Sequence, residues 1–310
     1  MSPAQPLKST TDSSNGDQPQ SNAEPDKPVH HTESVRRSRA KTFLVVFMGH
    51  SGSTAFTTEL REHSEFLVEK LEPLDHDEYE FNTNLALQQA EQIMDRGIQQ
   101  GKIPGFKIRP FHILNKPQLW KDFVRAYDCR IIWQYRENII KQAIGEYRSR
   151  YLNDTSVIEG LSPDEKPCDP SSDQRCTFRI DDMRFLHSLM NSMSSSDELL
   201  ANAVRALGRN EDMSIVRYED YLYRRERTMR ETFDFLGVDW QQTAPQRQKA
   251  SPDNLCKMVK NFQDVCDRFL PCLLWRPYLY DDVNNCRCKP GNWTNFDPSF
   301  CKRNSWFQGK

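Results

Sequence analysis

Two stretches of the sequence carry side chains and spacing suited to binding an anion. The first, Gly49-His50-Ser51-Gly52-Ser53-Thr54, follows an apolar run and precedes a helical pattern. Its two glycines let the backbone wrap so that consecutive N–H groups point into one concavity. The helix that follows adds unpaired amides and a positive dipole end. We call this segment the anion loop, and its hydroxyl groups suit phosphate or sulfate oxygens.

An ordinary strand-to-helix turn capped by a serine is the alternative interpretation of the anion loop. Its position favours ligand binding, because open parallel sheets bind ligands where the first strand ends. The usual loop of nucleoside-triphosphate kinases ends in Gly-Lys-Ser/Thr, with the Lys on the phosphates and the hydroxyl on magnesium. Here Ser53 follows Gly52 and the loop has no Lys. We therefore expect an anion site without that magnesium arrangement.

The second stretch is Tyr135-Arg136-Glu137-Asn138, which ends a predicted strand and opens a helix. An Arg at the carboxyl end of a parallel strand lies at the same sheet edge as the anion loop. Its planar guanidinium suits a phosphate monoester. A surface Arg paired with a neighbouring Glu is the alternative.

An alternation of strands and helices is predicted to position both stretches. Short apolar runs rich in β-branched and aromatic residues predict strands at 42–48, 105–109, 129–135 and 214–218. Helical patterns cover 55–65, 84–99, 137–150, 181–207, 223–236 and 253–268. This alternation predicts an α/β fold with a parallel sheet and helices on both of its faces.

The ends of the chain differ in composition from the predicted sheet. Residues 1–40 are rich in Ser, Pro, Gln, Asp and Asn and lack aromatic residues, which predicts a disordered leader. The leader closes with a basic cluster at 36–41, which we interpret as a solvated charge run, with a targeting role as the alternative. We expect one α/β domain at 41–270 and a cysteine-rich extension at 271–310 packed on it.

Charge and hydropathy exclude two classes of partner. The 42 basic and 44 acidic side chains give a net charge of −2, which offers no general surface for nucleic acid. No apolar run approaches the roughly 18 to 20 residues that span a bilayer. We expect neither nucleic-acid binding nor a membrane span.

Taken together, the motifs resemble those of the sulfotransferases that use 3′-phosphoadenosine 5′-phosphosulfate (PAPS), closest to the carbohydrate, tyrosyl-protein and bacterial glycolipid branches. The anion loop resembles their 5′-phosphosulfate loop, and Arg136-Glu137-Asn138 with Gln142-Ala143 resembles their 3′-phosphate segment. Residues 216–221 and 235–238 resemble a later strand and helix end. The resemblance spans roughly residues 42–262 and rests on the order and spacing of these segments.

The resemblance implies a sulfotransferase-like fold with a P-loop-like parallel sheet. It also implies a function: transfer of a sulfuryl group from PAPS to an acceptor hydroxyl or amine, with a carbohydrate as the expected acceptor. By this logic the transfer is an in-line displacement that needs positioning and positive potential, and no metal.

Two positions depart from the family pattern. His50 stands where the family usually has Lys or Arg, and it can meet the transferring group as a cation or through one neutral N–H. Gly145 stands where the family usually has a Ser that binds the 3′-phosphate, and Ser149 lies one helical turn further on. These departures keep open a non-catalytic relative that binds a nucleotide or glycan. A nucleotide-dependent kinase is the less favoured enzyme alternative.

A carboxylate shortly after the first helix takes the acceptor's proton in the carbohydrate and tyrosyl branches. By resemblance, Glu72 is the first candidate for this base, followed by His76 and then Asp75. Pro73 fixes the local backbone and would help to hold the carboxylate. The alternative is that Glu72 caps a turn. The predicted catalytic residues are Glu72, His50 and His76.

The resemblance extends to further basic residues. Lys107 and Arg109 alternate on a strand that the family uses near its acceptor pocket, and solvated strand ends are the alternative. Arg247 and Lys249 match residues that close over the 3′-phosphate. The full predicted nucleotide-binding set is Gly49, His50, Ser51, Gly52, Ser53, Thr54, Arg136, Asn138, Arg247 and Lys249.

The nine cysteines favour disulfides over a metal site. Cys129 begins a predicted buried strand and is expected to be a core thiol. Cys168 and Cys176 bracket a polar loop that suits a local disulfide. The other six allow many connectivities, and the sequence favours none. Zinc is the rival interpretation, but consecutive C-x-x-C pairs are absent and we predict no metal site.

The cysteines also bear on the compartment. Together with the glycosylation triplets at 153–155 and 292–294 they favour an oxidising lumen, and we expect the Golgi lumen. The N-terminus lacks the apolar core of a signal peptide, which keeps a cytoplasmic location as the alternative.

Overall fold

The computed structural model describes residues 38–69, 72–154, 161–162, 164–166, 168–169, 176–208, 210–247, 249, 253–289, 291 and 296–303. In these residues one parallel sheet has the order β2-β3-β1-β4-β5. Its strands are β1 (Thr42–Phe47), β2 (Phe66–Val68), β3 (Ile103–Ile108), β4 (Cys129–Tyr135) and β5 (Met213–Arg217). The predicted α/β fold with a parallel sheet is confirmed.

The central strand β1 sets the position of the site. Every residue of β1 is buried, as its apolar sequence predicts. It pairs in parallel with β3 on one side and β4 on the other. Strands β2 and β3 lie on one side of β1, and strands β4 and β5 lie on the other. Such a switch point opens a crevice at the carboxyl ends of the strands.

Helices connect the strands. They are α1 (Ser53–Leu60), α2 (Asp77–Glu80), α3 (Thr83–Gln99), α4 (Pro110–Asn115), α5 (Pro117–Ala126), α6 (Ile139–Tyr151), α7 (Met183–Leu207), α8 (Tyr218–Tyr223), α9 (Arg225–Leu236), α10 (Leu255–Met258) and α11 (Phe262–Phe269). Helices α3, α5 and the C-terminal part of α7 bury apolar side chains against one sheet face, where Leu44 and Val46 point. Helices α1 and α9 cover the other face, where Phe43 and Val45 point. Because successive side chains of β1 point to opposite faces of the sheet, they pack into two separate apolar cores.

Two predicted helices are corrected by the structure. The helix predicted over 55–65 ends at Leu60, because the chain turns into β2, an edge strand that the sequence analysis missed. The ring Nε2 of His63 lies 3.0 Å from the carbonyl oxygen of Asp239 at this turn. The helix predicted over 253–268 is two helices, α10 and α11. Asn261 lies at the break, where its side chain both accepts from and donates to the backbone of Ile180 at 2.9 Å.

A third apolar cluster joins α6, α7 and α11 to the C-terminal segment. Trp275 is fully buried in it, and its indole N–H donates to the carbonyl oxygen of Phe300 at 2.8 Å. Three disulfides hold this region, Cys256–Cys286, Cys266–Cys288 and Cys272–Cys301. Buried residues of the C-terminal segment, Trp275 and Phe300 among them, therefore belong to this cluster.

The expected local disulfide Cys168–Cys176 is present. Cys129 is a buried thiol, and the hydroxyl of Thr42 donates to its sulfur at 2.8 Å. Thr155 and the triplet at 292–294 lie outside the described residues. Among those described, no helix is long and apolar enough to cross a membrane.

The predicted leader lies outside the described residues up to residue 37. Its last residues pack on the domain: Ala40 is buried, and its N–H donates to the carbonyl oxygen of Leu236 at 3.0 Å. Arg130 donates to the carbonyl oxygen of Ser38. A buried Arg thus fixes the chain just before β1.

Candidate functional site

The anion loop connects β1 to α1 at the carboxyl edge of the sheet. His50 and Gly52 have φ of 59° and 73°, so the loop turns through the left-handed region twice. A Cβ on Gly52 would lie 2.3 Å from the ring of Tyr218, so both conformation and space require glycine there. Gln142 and Gln134 donate to the carbonyl oxygens of Gly49 and Ser51, at 2.6 and 3.2 Å. These bonds fix the loop from α6 and β4.

The loop offers donors suited to an anion. Helix α1 begins at Ser53 with Gly52 as its N-cap, and no side chain in the described part of the chain caps its first amides. Among the described residues, the buried hydroxyl of Ser51 has no hydrogen-bond partner. Uncapped N-terminal amides and an unpaired hydroxyl fit a phosphate or sulfate group.

His50 is oriented by a carboxylate on α6. Its ring Nε2 contacts Glu146, which also contacts Arg150. Burial raises the pKa of Glu146, but the hydrogen bonds and charges of these two neighbours outweigh it and leave the pKa below its ordinary value. Glu146 is therefore ionised at neutral pH and holds the imidazole beside the loop.

Glu72 lies between Lys107 on β3 and Arg109, which follows the last residue of that strand. Its carboxylate accepts from Arg109 Nε at 2.8 Å and lies 3.3 Å from Lys107 Nζ. Lys107 also donates to the hydroxyl of Thr54 at 3.1 Å, although its side chain is only 2% exposed. The strand thus brings a buried cation to the anion loop, which has no Lys of its own.

The charges around Glu72 shift three ionisation equilibria. Burial raises the pKa of Glu72, but Lys107 and Arg109 outweigh it, so the net pKa lies below its ordinary value. Burial lowers the pKa of Lys107, partly offset by Glu72. Burial and the charge of Glu72 raise the pKa of Asp75, which lies 3.4 Å from Arg109. The two carboxyl groups therefore differ in basicity.

Arg136 belongs to a second charged cluster. Its guanidinium lies 4.7 Å from the ring centroid of Tyr218 and donates to Asp253 at 3.1 Å. Lys141 and Lys249 contact the same carboxylate. Burial lowers the pKa of Lys249 to about 8. Burial raises the pKa of Asp253, but the three cations outweigh it and hold the pKa well below its ordinary value.

A cavity of about 690 Å³ connects the two clusters. That volume suits a nucleotide-sized ligand. The predicted residues that line it are Gly49, His50, Gly52, Ser53, Thr54, Glu72, Arg136, Arg247 and Lys249. Gly145 and Ser149 line it as well, one helical turn apart on α6. The fold therefore gathers most of the predicted set around one space.

Three predicted residues lie elsewhere. Asn138 caps α6 by accepting from the N–H of Lys141, and its amide donates to the carbonyl oxygen of Tyr278 at 2.9 Å. His76 is exposed and its ring lies edge-on to Tyr79, outside the cavity lining. Ser51 belongs to the anion loop, but it is buried and lies outside the cavity lining.

The sequence analysis missed three residues of the clusters. Glu146 and Lys141 lie on α6, where charged side chains normally face solvent, so helical periodicity gave no sign of their burial. Asp253 lies just before the short helix α10, and no motif marked it. Only the contacts between distant segments show that these three side chains are buried and which charges they meet.

Comparisons with known proteins gave structural matches alone. No family model matches the sequence, and no curated protein matches it. A sulfotransferase from Alicyclobacillus acidocaldarius is similar at 12% identity and a TM-score of 0.43, over 78% of this chain and 94% of that one. The sulfotransferase domain of the curacin biosynthetic pathway has 15% identity and a TM-score of 0.40, over 66% and 76%. That of the Synechococcus PCC 7002 olefin synthase has 12% identity and a TM-score of 0.33, over the same shares. The chain is thus structurally similar to sulfotransferase domains at low sequence identity.

Proposed function

We propose that the protein transfers a sulfuryl group from PAPS to an acceptor hydroxyl or amine, with a carbohydrate as the expected acceptor. The observation that carries the proposal is the meeting of anion donors and a carboxylate at one edge of the sheet. The uncapped start of α1 and the buried Lys107 lie on one side, and Glu72 lies beside them.

Each residue has a defined role in this proposal. The anion loop amides bind the 5′-phosphosulfate. His50, held by Glu146, and Lys107 supply positive potential where charge develops on the leaving phosphate. Arg136 and Lys249 face the 3′-phosphate, with Arg247 beside them in the cavity lining.

Glu72 takes the acceptor's proton. Its lowered pKa keeps the carboxylate ionised at neutral pH, although it makes the group a weaker base than a free Glu. Arg109 and Lys107 fix its orientation, and a base that is already oriented lowers the entropic cost of reaching the transition state. In this proposal Glu72 therefore acts through its fixed position more than through a high basicity.

The four disulfides indicate an oxidising compartment. Within that class we propose the Golgi lumen, where sugar hydroxyls are the acceptors that fit the proposed chemistry. Glycosylation at Asn153 or Asn292 belongs to the same proposal.

A second candidate function is nucleotide binding without transfer. It is favoured by Glu72, which is paired with two cations, and by the absence of a hydroxyl at Gly145. Turnover distinguishes this candidate from the enzyme.

The test has a binding arm and a transfer arm. In calorimetry, adenosine 3′,5′-bisphosphate should bind, and ATP with magnesium should not; the reverse would favour a kinase. In transfer, labelled PAPS is screened against glycans, tyrosine peptides and small alcohols, with Glu72→Gln as the inactive control. Binding without turnover on any acceptor would leave the non-catalytic candidate.

A further inference from the structure

Asp253 is held by cations from three separate segments. Arg136 at the end of β4 donates to its Oδ1 at 3.1 Å, while Lys141 on α6 and Lys249 contact the same carboxylate. The Asp253 side chain is only 7% exposed, and Arg136 is 8% exposed. All four residues line the cavity. The carboxylate therefore occupies a cationic corner of the candidate site.

The donor set around Asp253 resembles what a phosphate group requires. The three cations supply these donors. The hydroxyl of Tyr223, outside the cavity lining, holds the carboxylate in place by donating to Oδ2 at 2.8 Å, and Asn284 donates to that hydroxyl at 2.9 Å. Arg136 Nε is buried and has no hydrogen-bond partner among the described residues. A carboxylate has two oxygens and leaves this donor unused, whereas a phosphate monoester presents three terminal oxygens.

Internal carboxylates offset the charge of the three cations. Asp281 lies 2.7 Å from Lys141, and Glu219 lies 3.9 Å from Arg136 Nε. Together with Asp253, three carboxylates balance the charge of the three cations. A dianion entering this corner would meet a neutral cluster with a carboxylate at its centre, and like charges in one low-dielectric space disfavour each other.

We propose that Asp253 is a built-in competitor for phosphate in this corner of the cavity. Its carboxylate takes the place of the anion, so it weakens the hold on a bound phosphate and favours release. The inference rests on the proposed function only in naming that phosphate as the 3′-phosphate of adenosine 3′,5′-bisphosphate. Removing the charge of Asp253 should therefore tighten anion binding, whereas a purely structural ion pair predicts the opposite sign.

The first test uses inorganic phosphate on the full chain, by calorimetry and thermal denaturation. Asp253→Asn keeps the size of the side chain and removes its charge. We expect phosphate to bind this variant about tenfold more tightly than wild type, or better. Asp282→Asn removes an exposed charge from a neighbouring segment and should leave the phosphate affinity unchanged. Equal or weaker phosphate binding by Asp253→Asn would overturn the proposal.

Tyr223→Phe provides a second variant, because Asp253→Asn leaves buried cations less neutralised and could fail to fold. It keeps every charge but removes one hydrogen bond that holds the carboxylate in place. Phosphate should then bind about two- to tenfold more tightly. An unchanged or weaker affinity in this variant overturns the proposal even if Asp253→Asn cannot be purified.

A nucleotide arm separates this inference from the proposed function. Adenosine 3′,5′-bisphosphate should gain affinity for Asp253→Asn, and adenosine 5′-monophosphate should not. If phosphate gains but neither nucleotide binds either protein, the competitor role of Asp253 stands and the sulfotransferase proposal falls. If the bisphosphate binds wild type, but neither it nor phosphate gains affinity in the variant, the competitor role of Asp253 falls and the proposed nucleotide site stands.

Discussion

Replacing Glu72 with Gln tests the proposed base most directly. The carboxylate accepts from Arg109 through Nε at 2.8 Å and lies 2.7 Å from its Nη2, with Lys107 at 3.3 Å. Gln keeps the shape and one acceptor oxygen but loses the charge. Loss of a general base slows transfer about 10²- to 10⁴-fold, which corresponds to about 2.7–5.4 kcal/mol of barrier.

The same substitution has a cost in stability. Glu72 is partly buried between two cations, so losing its charge-assisted hydrogen bonds should lower the free energy of unfolding by about 1.5–3 kcal/mol at neutral pH. Because the pKa of Glu72 is lowered in the folded state, this contribution is present above the unfolded-state pKa. It is lost as the pH falls through the lowered folded-state pKa. Wild-type transfer should decline over the same acidic range.

The assay is single-turnover transfer from labelled PAPS, with nucleotide affinity and thermal unfolding measured in parallel. Glu80→Gln is the matched control, since Glu80 is exposed and lies outside the cavity lining. Affinity for adenosine 3′,5′-bisphosphate should barely change in Glu72→Gln. His50→Ala should instead impair both binding and transfer, because His50 belongs to the anion loop.

A wild-type rate for Glu72→Gln would refute the reasoning about the base. The role would then pass to Asp75, which is exposed like His76 but lies 3.4 Å from Arg109 of the cavity lining. If the Glu72, His50 and Asp75 variants all transferred at the wild-type rate, this edge of the sheet would not be an active site.

Three further predictions concern the phosphate contacts, the loop and the disulfides. Arg136→Ala should weaken binding of adenosine 3′,5′-bisphosphate by about 1.5–3 kcal/mol without unfolding the protein, and an unchanged dissociation constant in calorimetry would remove it from the nucleotide site. Gly52→Ala should lower stability by about 1–3 kcal/mol and abolish nucleotide binding, because its Cβ would meet the ring of Tyr218, whereas Gly49→Ala has room and serves as control in thermal denaturation. Thiol titration of the unfolded, unreduced protein should find one reactive group, Cys129, and reduction should cost roughly 2–4 kcal/mol per disulfide; nine reactive thiols would contradict the pairing.

The order of the elements along the chain was readable because burial on both faces of a sheet leaves a local signal. Strand β4 was predicted at its observed bounds, and β1 within one residue of its end. The edge strand β2 escaped prediction, because three residues are too short for a periodicity and its pairing partner β3 lies more than thirty residues away in sequence. The anion loop was found for a related reason: its glycines and hydroxyls are contiguous.

The sequence alone determined most of the alternation of strands and helices, the glycine-containing turn between β1 and α1, and the pairing of Cys168 with Cys176, since each depends on residues close together in the chain. Only the tertiary structure decided which charges meet. Glu146 reaches His50, Lys107 reaches Thr54, and three cations surround Asp253 across as many as 117 positions. The physical reason is that the sequence gives the type of a charged side chain but does not show whether that side chain faces water or a counter-ion. Its partner is chosen by how the helices pack at the carboxyl edge of the sheet.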